Sequence, residues 1–215
     1  PVARTGDHRV AVEGRTIRKT STGISELERI SMQFRALAHH RRDKPFIFTA
    51  ELAEGWLPTL FMPDKADLAF GDALKIGLRK RSNDLPPLDI VAGGMVAIGD
   101  DVKQYLDFGR PNTALYVGGM GARGRNFYNS LVQRYGFERE ALEIQDLYLS
   151  GKKKEAEAAV PQELLEGMNL VGPEGYIKEK VAQFAEAGVT YLNIGPIGSP
   201  DEQMRIVEKL KEIDS

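Results

Sequence analysis

The sequence predicts an α/β fold in which helices cover a parallel sheet. Short apolar runs without the alternation of a half-exposed strand recur near residues 46–50, 56–61, 88–98 and 189–194. Amphipathic helical spacings separate the later runs, and this order of elements is typical of βα units. About four parallel units amount to half of an eight-stranded TIM (β/α)8 barrel. A half-barrel exposes two long sheet edges, so either a partner half is supplied elsewhere or the sheet is open and doubly wound.

The chain is interpreted as one domain over residues 1–215, in which residues 1–45 form a hairpin and a helix. Turn residues flank the alternating run His8–Val12, a pattern that predicts a small surface hairpin. Ser25 precedes an amphipathic spacing that predicts a helix ending near His39–His40. Because the chain starts at Pro1 without a signal-peptide pattern, we expect that a further segment precedes it in the whole protein.

Residues 46–98 are predicted to form barrel strands and one helix. The runs 46–50 and 56–61 follow each other too closely for a crossover helix, although parallel neighbours need a dozen or more connecting residues. Either the two runs are antiparallel or a segment is absent between Ala50 and Glu51. Absence is the favoured interpretation.

A helix and a glycine-interrupted strand complete this region. Asp64 precedes the helix, whose apolar face is formed by Phe70, Leu74 and Leu78. Gly93–Gly94 lies inside the run 88–98, which predicts a bulge or the close approach of another group. Residues 99–170 are then predicted to be a helical insertion with a glycine-rich loop, and residues 171–215 a closing helix, a strand and a terminal helix.

Composition excludes several classes of function. The formal net charge of -2 creates no basic field that would attract nucleic acid or an acidic membrane. The lack of cysteine excludes disulfides, thiolate metal sites and cysteine nucleophiles, and it fits a reducing cytoplasm. No apolar run approaches the length of a membrane span. We therefore expect a cytoplasmic homo-oligomer, a dimer, that acts on a small-molecule substrate and has no nucleic-acid or membrane partner.

The glycine-rich stretch Tyr116–Phe127 is the best candidate for a ligand-binding site. Its glycines expose backbone N–H groups and permit the close approach of a ligand, and a helix beginning near Asn126 would direct its positive end at the loop. Arg123 and Arg125 offer planar donors for phosphate or carboxylate. The candidate cofactor-binding residues are Gly118, Gly119, Met120, Gly121, Arg123, Arg125 and Asn126. The alternative is a flexible turn between helices with solvated arginines.

Other motifs carry weaker signals. Val171–Gly175 has the pattern of a helix start, and Glu174 in its first turn disfavours an anion site there. Asn193–Gly198 lies at the carboxyl end of the last strand and either shapes a pocket wall or turns the chain. The neighbouring His39 and His40 have no accompanying carboxylates, so no metal site is predicted. Spacing assembles no Ser/His/Asp arrangement or carboxylate pair, and no catalytic residue is assigned.

Three segments carry a family resemblance. Glu51–Pro58 reads E-L-A-E-G-W-L-P and is similar to the A-D-G-W-L-P segment of luciferase-like monooxygenases. Tyr116–Asn129, continued by Tyr135–Phe137 and Ile144–Gly151, resembles the glycine-rich stretch of members described as F420-dependent. Val171–Thr190 resembles the closing helix-and-strand signature of the superfamily. By this resemblance the chain is similar to the C-terminal half of an F420-dependent oxidoreductase of the luciferase-like superfamily.

The resemblance implies a (β/α)8 barrel of the bacterial-luciferase-like type that binds reduced F420 (8-hydroxy-5-deazaflavin), or alternatively FMN, at the carboxyl ends of its strands. It also implies hydride transfer from ring carbon C5 of F420 to an organic acceptor. The family's N-terminal half, which holds most ring contacts and acid–base candidates, is not in this sequence. Its Gly-Pro-Lys-Asn-type phosphate loop has no counterpart between Ala50 and Glu51. Two alternatives are an FMN-dependent monooxygenase of the same fold and a non-catalytic flavin-binding or interaction relative.

Overall fold

The sheet is parallel throughout. The computed structural model describes residues 9–12 and 43–213, and within these ranges six strands form a sheet in which every pair is parallel. The strands are β1 (Arg9–Val12), β2 (Gly55–Trp56), β3 (Asp89–Ala92), β4 (Met95–Ile98), β5 (Leu170–Gly172) and β6 (Tyr191–Pro196). Together with the helices between them, they confirm the predicted α/β fold class with a parallel sheet.

Helices occupy most of the chain between the strands. They are α1 (Lys44–Leu52), α2 (Asp72–Lys80), α3 (Arg110–Ala114), α4 (Phe127–Arg134), α5 (Glu138–Leu149), α6 (Lys153–Ala158), α7 (Gln162–Met168), α8 (Glu174–Glu186) and α9 (Pro200–Ile213). A π-helical turn over Asp67–Gly71 leads into α2, and a second one over Leu115–Gly119 continues α3. Short 3-10 turns cover Pro63–Lys65 and Lys103–Gly109.

Strand β6 lies at the centre of the described sheet. It pairs with β1 and β3 through its first residues and with β4 through Gly195 and Pro196. Strand β2 adds to β3, and β5 adds to β4. Since all pairs are parallel, the carboxyl ends of the strands meet at one edge, which we call the carboxyl edge. In parallel α/β proteins ligands bind at this edge.

The bend between β3 and β4 explains the two glycines inside the predicted strand. A Cβ atom added to Gly93 would overlap the carbonyl oxygen of Asn193 in β6. A Cβ atom added to Gly94 would overlap the carbonyl oxygen of Met168 at the end of α7. The close approach predicted for this position is therefore real, and the approaching group is the chain's own backbone.

The strand predicted over residues 46–50 was wrong, because this run lies within α1. Phe46, Thr49 and Ala50 are buried on one side of the helix, whereas Phe48 is 53% exposed on the other. A Cβ atom added to Gly77 of α2 would overlap the carbonyl oxygen of Ile47, so the two helices pack at backbone distance. A short apolar run cannot be assigned to strand or helix by periodicity alone, and here helix packing decided.

The same helix removes the predicted gap between Ala50 and Glu51. Both residues are consecutive positions of α1, so neither antiparallel strands nor an absent segment is needed there. No phosphate loop lies at this point, because Ala50 and Glu51 both belong to the helix.

Three other predictions differ from the structure. The strand near residues 56–61 is limited to Gly55–Trp56, since Pro58 has no N–H for a sheet and Leu60 has a positive φ of 57°. Leu170–Gly172, predicted as the insertion's end and a helix start, is a three-residue buried strand. Arg9–Val12 pairs with β6 inside the sheet and not in a surface hairpin. The predicted helix between Ser25 and His40 lies outside the described residues.

Candidate functional site

A small cleft of about 40 Å³ opens at the carboxyl edge, where β2 ends. One wall is the first half of α1, and a second is Trp56 with the three residues that follow it. Phe70 closes the cleft from the turn before α2, and Phe127 and Tyr128 close it from the start of α4. We call this the aromatic cleft. It lies next to the glycine-rich stretch in the chain, because α4 begins directly after Asn126.

The rings of the aromatic cleft brace one another. Phe46 and Trp56 both contact Phe70 with ring centroids 5.0 Å apart and planes tilted by 66° and 78°. Phe127 joins them through Phe46 at 5.7 Å. Edge-to-face contacts of this kind contribute roughly 0.5–1.5 kcal/mol each beyond the area that they bury. Phe46, Trp56 and Phe70 are all buried, so the apolar part of the cleft is pre-formed.

Three hydroxyl groups supply the polarity of the aromatic cleft. They belong to Thr49, Thr59 and Tyr128, and the Thr59 hydroxyl hydrogen-bonds the phenol of Tyr128. Burial raises the pKa of Tyr128, the nearby Tyr116 raises it further, and the bond from Thr59 opposes the change. The rings of Tyr116 and Tyr128 are in edge-to-face contact at 4.7 Å. Tyr128 therefore keeps its proton at neutral pH and offers a neutral donor.

Gly118 and Gly119, two predicted cofactor-binding residues, lie where a helix packs against α5. A Cβ atom added to Gly118 would stand 2.5 Å from Cβ of Tyr148, and one added to Gly119 would stand 2.5 Å from Cε1 of the same ring. Close packing of the π-helical turn on α5 thus accounts for both glycines without a ligand. Such packing does not test whether their backbone N–H groups also contact a cofactor.

The middle of the glycine-rich stretch is exposed. Met120 is 51% exposed, and a Cβ atom on Gly121 would stand 2.9 Å from the carbonyl oxygen of Arg125. The Arg123 guanidinium donates to Asp146 of α5 at 2.7 Å, with both side chains solvent-exposed. Arg125 is exposed, and its side chain forms no ion pair with a described residue. The two predicted arginines therefore differ, since only Arg123 has an acidic partner.

Asn126 is the predicted site residue with the clearest structural role. It is 2% exposed and forms the N-cap of α4, where its side-chain oxygen accepts from the backbone N–H of Asn129. Its amide nitrogen donates to the carbonyl oxygens of Tyr116 and Val117 at 2.8 and 3.0 Å. With these bonds Asn126 holds the glycine-rich stretch against α4. The helix start predicted near Asn126 is thus confirmed, and a side-chain contact to a cofactor would have to replace one of these bonds.

A second, larger cleft of about 430 Å³ is lined by residues further along the segment that follows β2 and by residues of three later segments. We call it the charged cleft; its charged side chains are Asp64, Lys65, Glu163, Glu166 and Lys180. Lys180 is 7% exposed and donates to the carbonyl oxygen of Gly167 at 3.2 Å. Tyr176, one turn earlier in α8, donates to the carbonyl oxygen of Glu166 at 3.2 Å.

The charged cleft perturbs two of its titratable groups. Burial lowers the pKa of Lys180, and the carboxylates of Asp64 and Glu166 oppose this change. Burial raises the pKa of Tyr176 to about 12, helped by the same two carboxylates. Both side chains bind carbonyls at the end of α7, where the helix dipole favours a cation. Sequence spacing gave no signal of this cleft, because its members come from four separate segments.

The remaining motifs are used by the fold. Val171–Gly175 contains the predicted helix start, because Pro173 is the N-cap of α8, and Glu174 in its first turn pairs with Lys209 at 3.1 Å. Gly195 is exposed near the end of β6 and has open space around an added Cβ atom.

The three histidines lie outside the described residues. Within residues 9–12 and 43–213 no group of acidic or histidine side chains could hold a metal ion. In the same ranges no helix is long and apolar enough to cross a lipid bilayer.

The chain is similar to known oxidoreductases. It is 32% identical over 154 residues to a Mycobacterium tuberculosis protein named "Putative coenzyme F420-dependent oxidoreductase", a match that covers 69% of this chain and 43% of the relative. Its fold is similar to the coenzyme F420 dependent tetrahydromethanopterin reductase from Methanopyrus kandleri, with a TM-score of 0.56 and 22% identity over 77% of this chain and 46% of that one. An F420-dependent secondary alcohol dehydrogenase in complex with an F420-acetone adduct is similar with a TM-score of 0.50 and 10% identity, over 80% and 46%.

These similarities agree with the resemblance seen in the sequence. The chain spans less than half the length of the relative and of both solved structures, as expected for part of a barrel. The luciferase-like monooxygenase family model matches residues 41–191, which is most of the chain. This chain therefore belongs to the luciferase-like monooxygenase family.

Proposed function

We propose that the whole protein is an F420-dependent oxidoreductase that transfers a hydride between reduced F420 and an organic substrate. The observation that carries this proposal is the 32% identity to a relative whose name includes F420-dependent oxidoreduction. The titles of both similar structures also name F420, which adds support from the fold alone.

The residues of the glycine-rich stretch fit a cofactor with an anionic tail. Arg125 has no acidic partner among the described residues, and Arg123 shares its charge with a single exposed carboxylate. Guanidinium groups form strong bidentate bonds with carboxylate and phosphate. The stretch continues directly into the two rings that close the aromatic cleft, so a tail bound at the arginines would place the rest of a cofactor near that cleft.

The chain's own residues supply binding and shielding. When bound, F420 would supply the hydride from ring carbon C5, and the protein's task is to position the reactants and exclude water. In this chain the braced rings of Phe46, Trp56 and Phe70 exclude water from the cleft floor. The phenol of Tyr128 holds a proton at its oxygen, because burial keeps the group neutral.

A fluorescence titration tests the choice of cofactor. Purified protein is titrated separately with F420 and with FMN, and the two dissociation constants are compared. Tighter binding of F420 is expected. Tighter binding of FMN would sink the proposal in favour of an FMN-dependent monooxygenase of the same fold. Binding of neither compound would also overturn it.

The two arginines can be tested in the same titration. Replacing Arg123 and Arg125 together with Ala should weaken F420 binding by more than about 1 kcal/mol if both form charge-assisted bonds. Arg139 and Arg205 are also exposed, so the double variant Arg139→Ala/Arg205→Ala controls for the loss of two positive charges. Equal affinities in the two double variants would indicate that Arg123 and Arg125 do not bind F420 and are solvated side chains of a loop.

The non-catalytic alternative rests on the phosphate loop, which has no counterpart between Ala50 and Glu51, because both are consecutive residues of a helix. An ordered connection at this point without a cavity behind it would favour that alternative. A small cleft does border the same helix, lined by Pro45, Phe46 and Thr49, so this second condition is not met.

A further inference from the structure

Helix α5 contacts the glycine-rich stretch at three points. The π-helical turn Leu115–Gly119 packs against it, since the two glycines of this turn have no room for a Cβ atom. The buried Gln145 donates its side-chain amide to the carbonyl oxygen of Gly121 at 3.4 Å. The next residue, Asp146, accepts from the guanidinium of Arg123 at 2.7 Å. One side of a regular helix thus supports the whole stretch.

The bond between Arg123 and Asp146 uses only one nitrogen of the guanidinium. Nε donates to Oδ1 of Asp146, and no other described residue accepts from the Arg123 side chain. A guanidinium carries five N–H donors in one plane, so the four donors on Nη1 and Nη2 are left for another partner. These two nitrogens can bind a carboxylate or a phosphate through two parallel hydrogen bonds.

Asp146 acts on an anion at Arg123 in two opposite ways. Its charge repels the anion, and this repulsion is weak because both side chains are largely exposed to solvent. Its oxygen also holds the long arginine side chain in one place. Ordering such a side chain only on binding would lower the affinity roughly 2- to 10-fold. We therefore expect the orientation of Arg123 to outweigh the repulsion.

We propose that Asp146 is a positioning residue, which holds the guanidinium of Arg123 so that Nη1 and Nη2 receive an anionic group of a ligand at the glycine-rich stretch. This group is a phosphate or a carboxylate, because both accept two parallel bonds from a guanidinium. Its assignment to the tail of F420 rests on the proposed function. The orientation of Arg123 does not, because the bond to Asp146 is present without a ligand.

Two substitutions at Asp146 separate orientation from charge. Asp146→Ala removes the charge and the acceptor, whereas Asp146→Asn removes the charge and keeps an acceptor oxygen. In a fluorescence titration with F420, Asp146→Ala should bind roughly 2- to 10-fold more weakly than the unmodified protein. Asp146→Asn should bind at least as tightly as the unmodified protein.

Glu143→Ala is the matched control for the loss of a negative charge. Glu143 lies three residues before Asp146 in α5 and is exposed, and it has no ion pair with a described residue. Its replacement should not weaken the binding of F420. An effect of charge alone would make all three variants bind F420 equally tightly or more tightly than the unmodified protein.

The orientation of Arg123 can also be measured without a ligand. Its Nε–H group gives a cross-peak in a ¹H–¹⁵N spectrum of the arginine side chains, which is assigned by its loss in Arg123→Lys. The heteronuclear NOE of this peak reports motion on the ps–ns timescale. We expect a high NOE in the unmodified protein and in Asp146→Asn, and a lower NOE in Asp146→Ala.

The outcomes separate this proposal from the choice of cofactor. The proposal is overturned if Asp146→Ala binds F420 as tightly as the unmodified protein, if Asp146→Asn is as weak as Asp146→Ala, or if the NOE of Arg123 is the same in all three proteins. If the unmodified protein does not bind F420, the proposed function fails. The three proteins are then titrated with inorganic pyrophosphate, followed by the shift of the Arg123 cross-peak. The same order of affinities supports the role of Asp146, and any other result overturns it.

Discussion

The aromatic cleft and the charged cleft are both lined by residues of the segment that follows β2, yet they use their polar groups in different ways. In the charged cleft Lys180 and Tyr176 bind backbone carbonyls at the end of α7. In the aromatic cleft the bond between Thr59 and Tyr128 joins two side chains of the lining itself. The polar side chains of the larger cleft therefore fix a helix end, and those of the smaller cleft fix one another.

The largest effect is expected where the aromatic cleft depends on core packing. Phe70→Ala removes a ring that is 2% exposed and contacts both Phe46 and Trp56, so we expect a loss of about 3–5 kcal/mol in the free energy of unfolding. Urea denaturation measures this loss. Phe108, which is 63% exposed, gives the control Phe108→Ala with a loss of about 1 kcal/mol or less. Similar losses in both variants would show that the cleft is not pre-formed by its rings.

The link between the glycine-rich stretch and the aromatic cleft is tested at Asn126. Asn126→Ala removes the cap of α4 and the bonds to Tyr116 and Val117, and we expect a loss of about 2 kcal/mol. Asn112→Ala on the exposed side of α3 is the control and should change stability little. The free energy of unfolding in urea measures both variants. A negligible loss at Asn126 would mean that the stretch is held in place by other contacts.

Features set by local chemistry could be predicted from the sequence. The start of α4 was predicted near Asn126, and Asn126 is its N-cap. The parallel sheet followed from unalternating apolar runs separated by helices, and the close approach at Gly93–Gly94 followed from glycine within such a run. In each case the signal is a short stretch of sequence, although the groups that approach Gly93 and Gly94 lie far along the chain.

Features that depend on tertiary contacts could not be predicted. The run 46–50 is apolar enough for a strand. In the structure it belongs to α1, which packs at backbone distance against Gly77 of α2. Leu170–Gly172 is too short to be recognised as a strand before its partner β4 is known. The charged cleft joins residues from positions 62 to 180, and no spacing rule connects them. The glycine-rich stretch was selected by its composition. Composition alone could not distinguish glycines that pack against Tyr148 from glycines that bind a ligand.

Tyr176 tests whether the charged cleft belongs to the fold. Tyr176→Phe removes the bond to the Glu166 carbonyl and should cost about 1 kcal/mol at pH 7. Because the pKa is about 12 in the folded protein and 10.0 for the ordinary phenol, the unfolded chain releases this proton first. The stability that Tyr176 contributes is therefore complete below pH 10 and is lost as the pH rises towards 12. Urea denaturation of both proteins from pH 7 to 11 measures the difference between their free energies of unfolding, which should shrink as the pH rises.

The smallest effect is expected at Lys180, where burial and the carboxylates of Asp64 and Glu166 act in opposite directions. Burial is the larger cause, so the pKa of Lys180 is lowered from 10.5. Between the lowered pKa and 10.5 the unfolded chain holds a proton that the folded protein has released, so the stability contributed by this group rises with pH.

The measurement compares the Tyr176→Phe variant with the double variant Tyr176→Phe/Lys180→Met. Tyr176 is replaced in both, because its titration lowers the free energy of unfolding as the pH rises and would mask the effect of Lys180. The difference in the free energy of unfolding should increase towards pH 10.5 and level off above it, while the exposed Lys178→Met shows no trend. A difference that falls with pH would mean that the ion pairs outweigh burial. Attraction between Lys180 and the carboxylates of Asp64 and Glu166 would then stabilise the charged cleft. The two clefts would differ only in the charge of their side chains.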